Sequence, residues 1–382
     1  MTFILGCKTA TTAFLAADAA LSAPEELLPH KTPRNSVFGE YHQIHNVTDG
    51  RIKYEGYPKI RRLPNAAVAF AGPVAVWEEV ATCIERSCIE EGRNPVDSLR
   101  YVTSSTPLDR ISQVGVVLAY YDGNGPTIVS WNHEGSRRIE EHTALCMIGN
   151  VGDAEHDAFV GGVNTLFECL LTSKLLDGAS LLACILGHLQ RSSLDHDLMT
   201  RGIGGTYSGV WIDRSGVHPQ PDILYAMLLP GQGVVRSVKT IARDDCLYAS
   251  SGASGHSVIF SYPRYSESAE LMRQRAARFR LETLPPLLGS LQWDFFSIVS
   301  GRPMPGLTIM ELKRNQKFPA TGRVILELKP IGDGAFDISF YVRTFVEDVM
   351  NDDPDLRGDI FLVYLPYDNE HDTLITVSSR QE

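Results

Sequence analysis

The chain has 382 residues, with 46 acidic and 35 basic side chains and a net charge of −11. At roughly 150 residues per domain, this length predicts two domains. Hydrophobic residues make up 43% of the chain and charged residues 21%, a balance that excludes a wholly disordered chain. The acidic charge, without a block rich in Lys or Arg, argues against nucleic acid and against an anionic membrane surface as partners.

No apolar run reaches the roughly 18–20 residues of a membrane-spanning helix. The best candidate, Ala66–Trp77, is short and contains Gly72 and Pro73. Asp18 interrupts the apolar start of the chain, which argues against an export signal. The seven cysteines are odd in number and form no CxxC pair, so the sequence predicts a reduced, cytoplasmic protein without a disulfide framework or a zinc site.

The chain opens with two predicted strands, Thr2–Lys8 and Ala13–Ala17, joined by a turn at Thr9–Thr12. Residues 22–57 contain three prolines among scattered His, Asn and Gly, which is typical of a long insertion or lid. A short buried strand is predicted at Val68–Gly72.

After Pro73, apolar residues recur at helical spacing with charged residues between them, which predicts an amphipathic helix. The apolar positions are Trp77, Val80, Ile84 and Cys88. Beyond this helix, Val114–Tyr121 and Pro126–Trp131 flank a turn at Asp122–Gly125 and predict a hairpin. Ala144–Ile148 is the next predicted strand.

Two helices are predicted at Val163–Leu175 and Ser180–Leu189, followed by a Gly202–Gly205 turn and strands at Tyr207–Ile212 and Ile223–Leu228. Beyond residue 230 the sequence predicts a charged helix at Glu267–Leu284 and further strands. Those strands are Val324–Lys329, Ala335–Arg343, Asp359–Leu365 and Thr373–Ser378. This order favours an α+β fold of stacked layers over a regular βαβ alternation.

Thr2 follows Met1, and a small second residue favours removal of the initiator methionine. An N-terminal threonine carries a hydroxyl nucleophile and an α-amine on one residue. The amine has an ordinary pKa of about 7.7–8, so it can accept the hydroxyl proton near neutral pH. Taken alone, a Met-Thr start is a weak signal, since many chains begin in this way.

The surrounding segments strengthen that signal. Thr2–Lys8 followed by Leu15-Ala-Ala-Asp18 resembles the opening of proteasome β subunits and of the related HslV-type bacterial peptidases. Lys59-Ile-Arg-Arg-Leu63 resembles the segment that carries the family's catalytic lysine, and Ala69–Gly72 resembles the strand that ends in its oxyanion glycine. Ile148-Gly149-Asn150 falls where the family has Gly-Ser-Gly, and Gly204-Gly205 precedes the last strands, as in the family.

The resemblance covers roughly residues 2–228 and implies a four-layer αββα N-terminal-nucleophile (Ntn) hydrolase sandwich. The domains expected from it are residues 1–230, with the insertion at about 22–57, and a C-terminal mixed α/β extension at 231–382. The implied catalytic residues are the nucleophile Thr2, the pair Asp18 and Lys59, Gly72 as oxyanion donor, and Asn150 in support. The implied substrate-lining residues are Leu21, Ser22 and Phe70.

Three departures affect these assignments. The stretch from Asp18 to Lys59 is much longer than the family's, and Lys31 lies nearer the family's spacing, although it lacks the Ile-Arg-Arg-Leu pattern. Asn150 replaces a serine and cannot relay a proton as a hydroxyl does. Thr200 and Ile203 stand where the family often has Asp and Ser. An inactive or non-proteolytic member of the family therefore stays an alternative.

The function expected from the resemblance is a threonine-type peptidase that acts on polypeptides, self-assembles as a homo-oligomer, and receives chains from a possible ATPase unfoldase. The sequence predicts no cofactor and no metal. One alternative is an amidase of the same fold that acts on a small molecule. The other is a non-catalytic scaffold or sensor subunit.

Overall fold

The computed structural model describes residues 2–24, 36, 51–55, 57–132, 138–149, 161, 164, 178–195, 198–229, 233–243, 246–251, 257–261, 271, 274, 293–298, 308–314, 324–332, 335–342, 360–366 and 375–377. Up to residue 149 the elements are β1 (Phe3–Lys8), β2 (Ala13–Asp18), β3 (Ala20–Pro24), β4 (Arg51–Glu55), β5 (Ile60–Arg62), β6 (Ala66–Ala71), α1 (Val74–Ile89), α2 (Pro95–Ser105), α3 (Leu108–Ile111), β7 (Gly115–Asp122), β8 (Gly125–Asn132), β9 (Ile139–His142) and β10 (Leu145–Gly149).

The later elements are α4 (Gly178–Asp195), a 3₁₀ turn (Leu198–Arg201), β11 (Tyr207–Asp213), β12 (Gly216–Pro219), β13 (Asp222–Leu229), β14 (Gly233–Arg243), β15 (Cys246–Ser251), β16 (Ser257–Ser261), β17 (Trp293–Ile298), β18 (Thr308–Arg314), β19 (Val324–Gly332), β20 (Ala335–Val342), β21 (Ile360–Pro366) and β22 (Ile375–Val377).

The first sheet has the strand order β10-β1-β2-β11-β12, and every pairing in it is antiparallel. The predicted strands at the start of the chain are therefore confirmed, and Thr9 N donates to Thr12 O at 2.8 Å in the turn between them. β1 lies between β10 and β2, so both of its edges are paired. This places the residue before β1, Thr2, at the end of an interior strand.

The second sheet has the order β5-β6-β7-β8-β9 and is also antiparallel. The predicted hairpin is its centre: Asp122 pairs with Gly125 across a two-residue turn. The Asp122 carboxylate accepts the amide of Asn124 at 2.7 Å. The side chain of the first turn residue thus fixes the hairpin that the sequence predicts.

Apolar side chains alternate between the two faces of each sheet, as the two-residue period of a strand requires. Ile4 and Leu15 of the first sheet share a buried cluster with Val117 and Ile128 of the second sheet. The opposite face of the second sheet packs on α1 and α2. The opposite face of the first sheet packs on α4. The two sheets therefore face each other, and helices lie on their outer faces.

Helix α1 begins directly after Pro73, and its predicted apolar face is buried at Trp77, Val80 and Ile84. Helix α2 was not predicted, although Asn94 caps it: the Asn94 side chain accepts the amide of Asp97 at 2.8 Å, and Pro95 occupies the first turn. An Asn-Pro start of this kind is a local helix signal.

The insertion begins and ends as regular structure. β3 and β4 pair antiparallel, from Ala20 opposite Glu55 to Pro24 opposite Arg51. The long insertion or lid at residues 22–57 stays a prediction, and backbone pairing at its two ends continues the chain out of β2 as a two-stranded ribbon. Residues 25–35 and 37–50 lie outside the described residues.

A third sheet contains β13 and six strands that follow it in the chain. Its order is β16-β15-β14-β13-β21-β18-β17. Within it β13 runs parallel to β21. The side chains of Ile223, Val238 and Leu247 belong to the same buried cluster as Leu182 of α4. The boundary at residue 230 stays a prediction, and the strands on its two sides, β13 and β14, are paired.

The remaining predicted strands are confirmed as the β19–β20 hairpin, β21 and β22. The second of the predicted helices before residue 200 is confirmed as α4. The predicted helices Val163–Leu175 and Glu267–Leu284 fall almost wholly outside the described residues. No helix in the described part of the chain is both long and apolar enough to cross a membrane.

Candidate active site

Thr2 lies immediately before β1 and is only 8% exposed. The next residue, Phe3, pairs with Gly149 of β10. A Cβ atom on Gly149 would lie 2.4 Å from the Thr2 carbonyl oxygen. Glycine at this position therefore lets β10 approach the backbone of Thr2 closely.

Asp18 ends β2 with no exposed surface. Its Oδ1 accepts the amide of Phe3 at 2.8 Å and Lys59 Nζ at 2.6 Å. Its Oδ2 accepts the amides of Gly204 at 3.0 Å and Ala20 at 3.2 Å. One buried carboxylate thus joins the residue next to Thr2, the predicted lysine, and the glycine turn before β11.

Lys59 precedes β5 and is 2% exposed. Burial lowers the pKa of Lys59 from its ordinary value, and the charge and hydrogen bond of Asp18 oppose that shift. The Lys59 carbonyl accepts the amide of Phe70 at 3.0 Å, which ties the lysine to β6. The structure therefore brings Lys59 to Asp18 across the insertion, whereas Lys31 lies outside the described residues.

Gly72 follows β6 with a φ of +119°, a conformation that favours glycine. A Cβ atom there would lie 2.2 Å from the carbonyl oxygen of Gln113. The close approach of the Gln113 backbone is therefore enough to explain glycine at position 72, whether or not Gly72 has a catalytic role. The oxyanion role of the Gly72 amide stays a prediction.

The three predicted substrate-lining residues differ in their surroundings. Phe70 has no exposed surface, and its ring stacks on Trp77 of α1 with centroids 5.3 Å apart. Leu21 and Ser22 lie on β3 and are partly exposed. The Ser22 hydroxyl oxygen is buried, with no hydrogen-bond partner within the described ranges. The pocket role of these residues stays a prediction, and Asn150 falls outside the described residues.

A second buried carboxylate, which was not predicted from the sequence, is Glu55 at the end of β4. Glu55 is 2% exposed, and its Oε1 accepts the amide of Thr206. No local pattern marks this residue, because its partner lies 151 residues further along the chain. Only the pairing of β3 with β4 brings it to the turn before β11.

A second buried ion pair, also missed, joins β5 to α1. Arg61 Nη1 lies 2.9 Å from Glu85 Oε2, and the guanidinium lies 5.7 Å from the centroid of the Trp77 ring. Burial raises the pKa of Glu85, and Arg61 opposes that shift. The pair secures α1 to the strand that follows Lys59.

The residues around Asp18 include a buried lysine and two backbone amides that donate to the carboxylate, those of Phe3 and Gly204. Within the described ranges, no three His, Cys, Asp or Glu side chains cluster closely enough to hold a metal ion. A charged lysine near a hydroxyl favours the deprotonated nucleophile, and a backbone amide can donate to a developing oxyanion. The structure places the Asp18–Lys59 pair beside Phe3, the residue after Thr2, and the role of Thr2 as a nucleophile stays a prediction.

No protein-family model matches the sequence. No curated protein matches it either. The interpretation of the site therefore depends on its own geometry and on the sequence motifs that led to it.

Proposed function

We propose that this protein is an N-terminal-threonine hydrolase of the four-layer Ntn type, acting as a peptidase. The single observation that carries the proposal is the position of the Asp18 carboxylate. This carboxylate accepts Lys59 Nζ and the Phe3 amide on the same oxygen atom, so the lysine is held beside the residue that follows Thr2. Two facing sheets with helices on their outer faces support the proposed fold.

In the proposed mechanism the Thr2 hydroxyl attacks a peptide carbonyl and forms an acyl-enzyme. The α-amine of Thr2 accepts the hydroxyl proton and returns it to the leaving amine. Lys59, kept oriented by Asp18, supplies a positive charge that favours the deprotonated hydroxyl. The Gly72 amide donates to the oxyanion, and water then hydrolyses the ester.

The proposal includes the substrate, the assembly and the cellular location of the enzyme. Its substrate is a polypeptide, its assembly is a homo-oligomer, and an ATPase unfoldase is a possible partner. A cytoplasmic location belongs to the same proposal, because Cys7, Cys83, Cys88, Cys146, Cys184 and Cys246 are all free thiols. No part of the reaction calls for a cofactor.

Substitution of the nucleophile tests the proposal. Thr2→Ala removes the hydroxyl and keeps the α-amine, so turnover of fluorogenic peptides should fall to background while the chain stays folded. Thr2→Ser keeps a hydroxyl and should retain measurable turnover. Undiminished activity of Thr2→Ala would refute the assignment, and activity on small acyl amides but on no peptide would identify an amidase instead.

A further inference from the structure

Two carboxylates accept backbone amides of the turn between the 3₁₀ segment and β11. Asp18 Oδ2 accepts the amide of Gly204 at 3.0 Å, and Glu55 Oε1 accepts the amide of Thr206. Gly204 is also held through its carbonyl oxygen, which accepts the amide of Ala19 at 3.2 Å. The turn is therefore fixed at both of its ends by side chains from the β2–β4 region.

These contacts close a ring through the ribbon of the insertion. Asp18 Oδ2 also accepts the amide of Ala20, and Ala20 is the backbone partner of Glu55 in the β3–β4 pairing. A displacement of Glu55 must therefore move either the ribbon or the turn, and both are bonded to the same Asp18 oxygen. Asp18 in turn holds Lys59 through its other oxygen.

The backbone of the turn is shaped to receive Glu55. Gly205 has a φ of +71°, and a Cβ atom there would lie 3.0 Å from Glu55 Oε1. A side chain at this position would press on the carboxylate and would also strain the backbone. Glycine at 205 and glutamate at 55 are therefore a matched pair, although 149 residues separate them in the sequence.

From this closed ring we infer that Glu55 is a positioning residue for the reaction at Thr2. It holds the Gly204–Thr206 turn against Asp18, so the ribbon that carries the insertion keeps the Asp18–Lys59 pair in its working orientation. Glu55 acts through Asp18 and does not touch the substrate. The inference depends on the proposed function of Thr2.

The test compares Glu55→Ala and Glu55→Gln with a matched control, Gln220→Ala, in peptide turnover by the full chain. Gln220 also uses a buried side-chain oxygen to accept an amide of β11, that of Gly209 at 2.9 Å, but within the described residues it is not among the four donors to Asp18. Loss of Glu55 should lower kcat roughly 10- to 100-fold with KM little changed, because a small misplacement of a catalytic group has effects of that size. Glu55→Gln should restore kcat to within about threefold, since its amide oxygen still accepts the Thr206 amide.

Each outcome decides the inference. A lowered kcat for Glu55→Ala, together with a near-normal kcat for Glu55→Gln and for Gln220→Ala, supports it. Equal kcat values for Glu55→Ala and Gln220→Ala, each per folded molecule, overturn it. If Glu55→Ala does not fold, Glu55→Asp keeps the charge but shortens the reach, and a normal kcat for that variant overturns the inference. A wild-type chain that starts at Thr2 and does not turn over peptides contradicts the proposed function first and removes the reaction that Glu55 would serve.

Discussion

Asp18 and Lys59 are charged residues in a region with almost no access to water, at 0% and 2% exposure. Each charge loses hydration that is worth several kcal/mol, and a buried ion pair is often no more stable than apolar side chains of the same volume. Four donors to Asp18 offset part of that cost. Since stability alone does not explain such a pair beside a candidate nucleophile, its presence favours a chemical role.

Removal of the Asp18 charge should destabilise the protein, because the Lys59 charge then stays buried without a counter-ion. Asp18→Asn leaves the Lys59 charge without its counter-ion, and we expect the free energy of unfolding to fall by about 3–5 kcal/mol. The double variant Asp18→Asn, Lys59→Met should recover part of that loss, because no uncompensated charge remains. Urea denaturation measures both; equal loss in the single and double variants would contradict a buried pair.

Lys59 should also leave a signature in the pH dependence of stability. Because burial lowers the pKa of Lys59 in the folded chain, the unfolded chain holds this proton more tightly. Stability should therefore rise with pH from the folded-state pKa up to the ordinary value of 10.5, and Lys59→Met should lack this increase. Urea denaturation of both proteins at alkaline pH measures the difference; a difference that falls as pH rises would contradict the lowered pKa.

At the scale of elements, the sequence predicted what local periodicity and turn chemistry determine. β1, β2, α1 and the β7–β8 hairpin have apolar residues at regular spacing and polar turns between them, and all four are present. The β3–β4 ribbon was missed because its pairing joins two short segments separated by residues 25–50. Glu55 was missed for the same reason, since its role appears only when the ribbon brings it to Thr206.

The β3–β4 ribbon should keep its pairing and the contact of Glu55 with Thr206 when residues 25–50 are removed. Pro24 and Arg51 are paired, so replacing residues 25–50 by Asn-Gly should close β3 and β4 as a two-residue hairpin. Because Glu55 and its contact with Thr206 are retained, labelling of Thr2 by a small active-site probe should stay within about threefold of the wild-type rate. Loss of labelling from a folded variant would place an essential group within residues 25–50.

At the scale of the whole molecule, α4 is covered on two sides. One side packs on the first sheet, and the other contacts β21 and β18 of the third sheet. Side chains of β13, β14 and β15 belong to the same buried cluster. The third sheet therefore contributes to the core that supports β1, although the sequence assigned residues 231–382 to a separate extension. Length alone predicts two units, but it cannot show whether they share a core.

Truncation tests how far the two parts depend on each other. A chain of residues 1–230 loses Val238, Ala242 and Leu247 from the cluster around α4 and should unfold at lower urea than the full chain. A chain of residues 1–372 lacks only β22 among the described elements and should unfold close to the full chain. A 1–230 chain with the full-length midpoint would instead support an independent catalytic domain.

The intact mass of the mature protein, with and without a peptide epoxyketone, shows whether Thr2 is an N-terminal nucleophile. This probe reacts with both the hydroxyl and the free α-amine of an N-terminal threonine. The proposal predicts a chain that begins at Thr2, gains the mass of one probe, and gains none as Thr2→Ala. Retention of Met1 throughout, or a folded chain that begins at Thr2 and gains no mass, would contradict it.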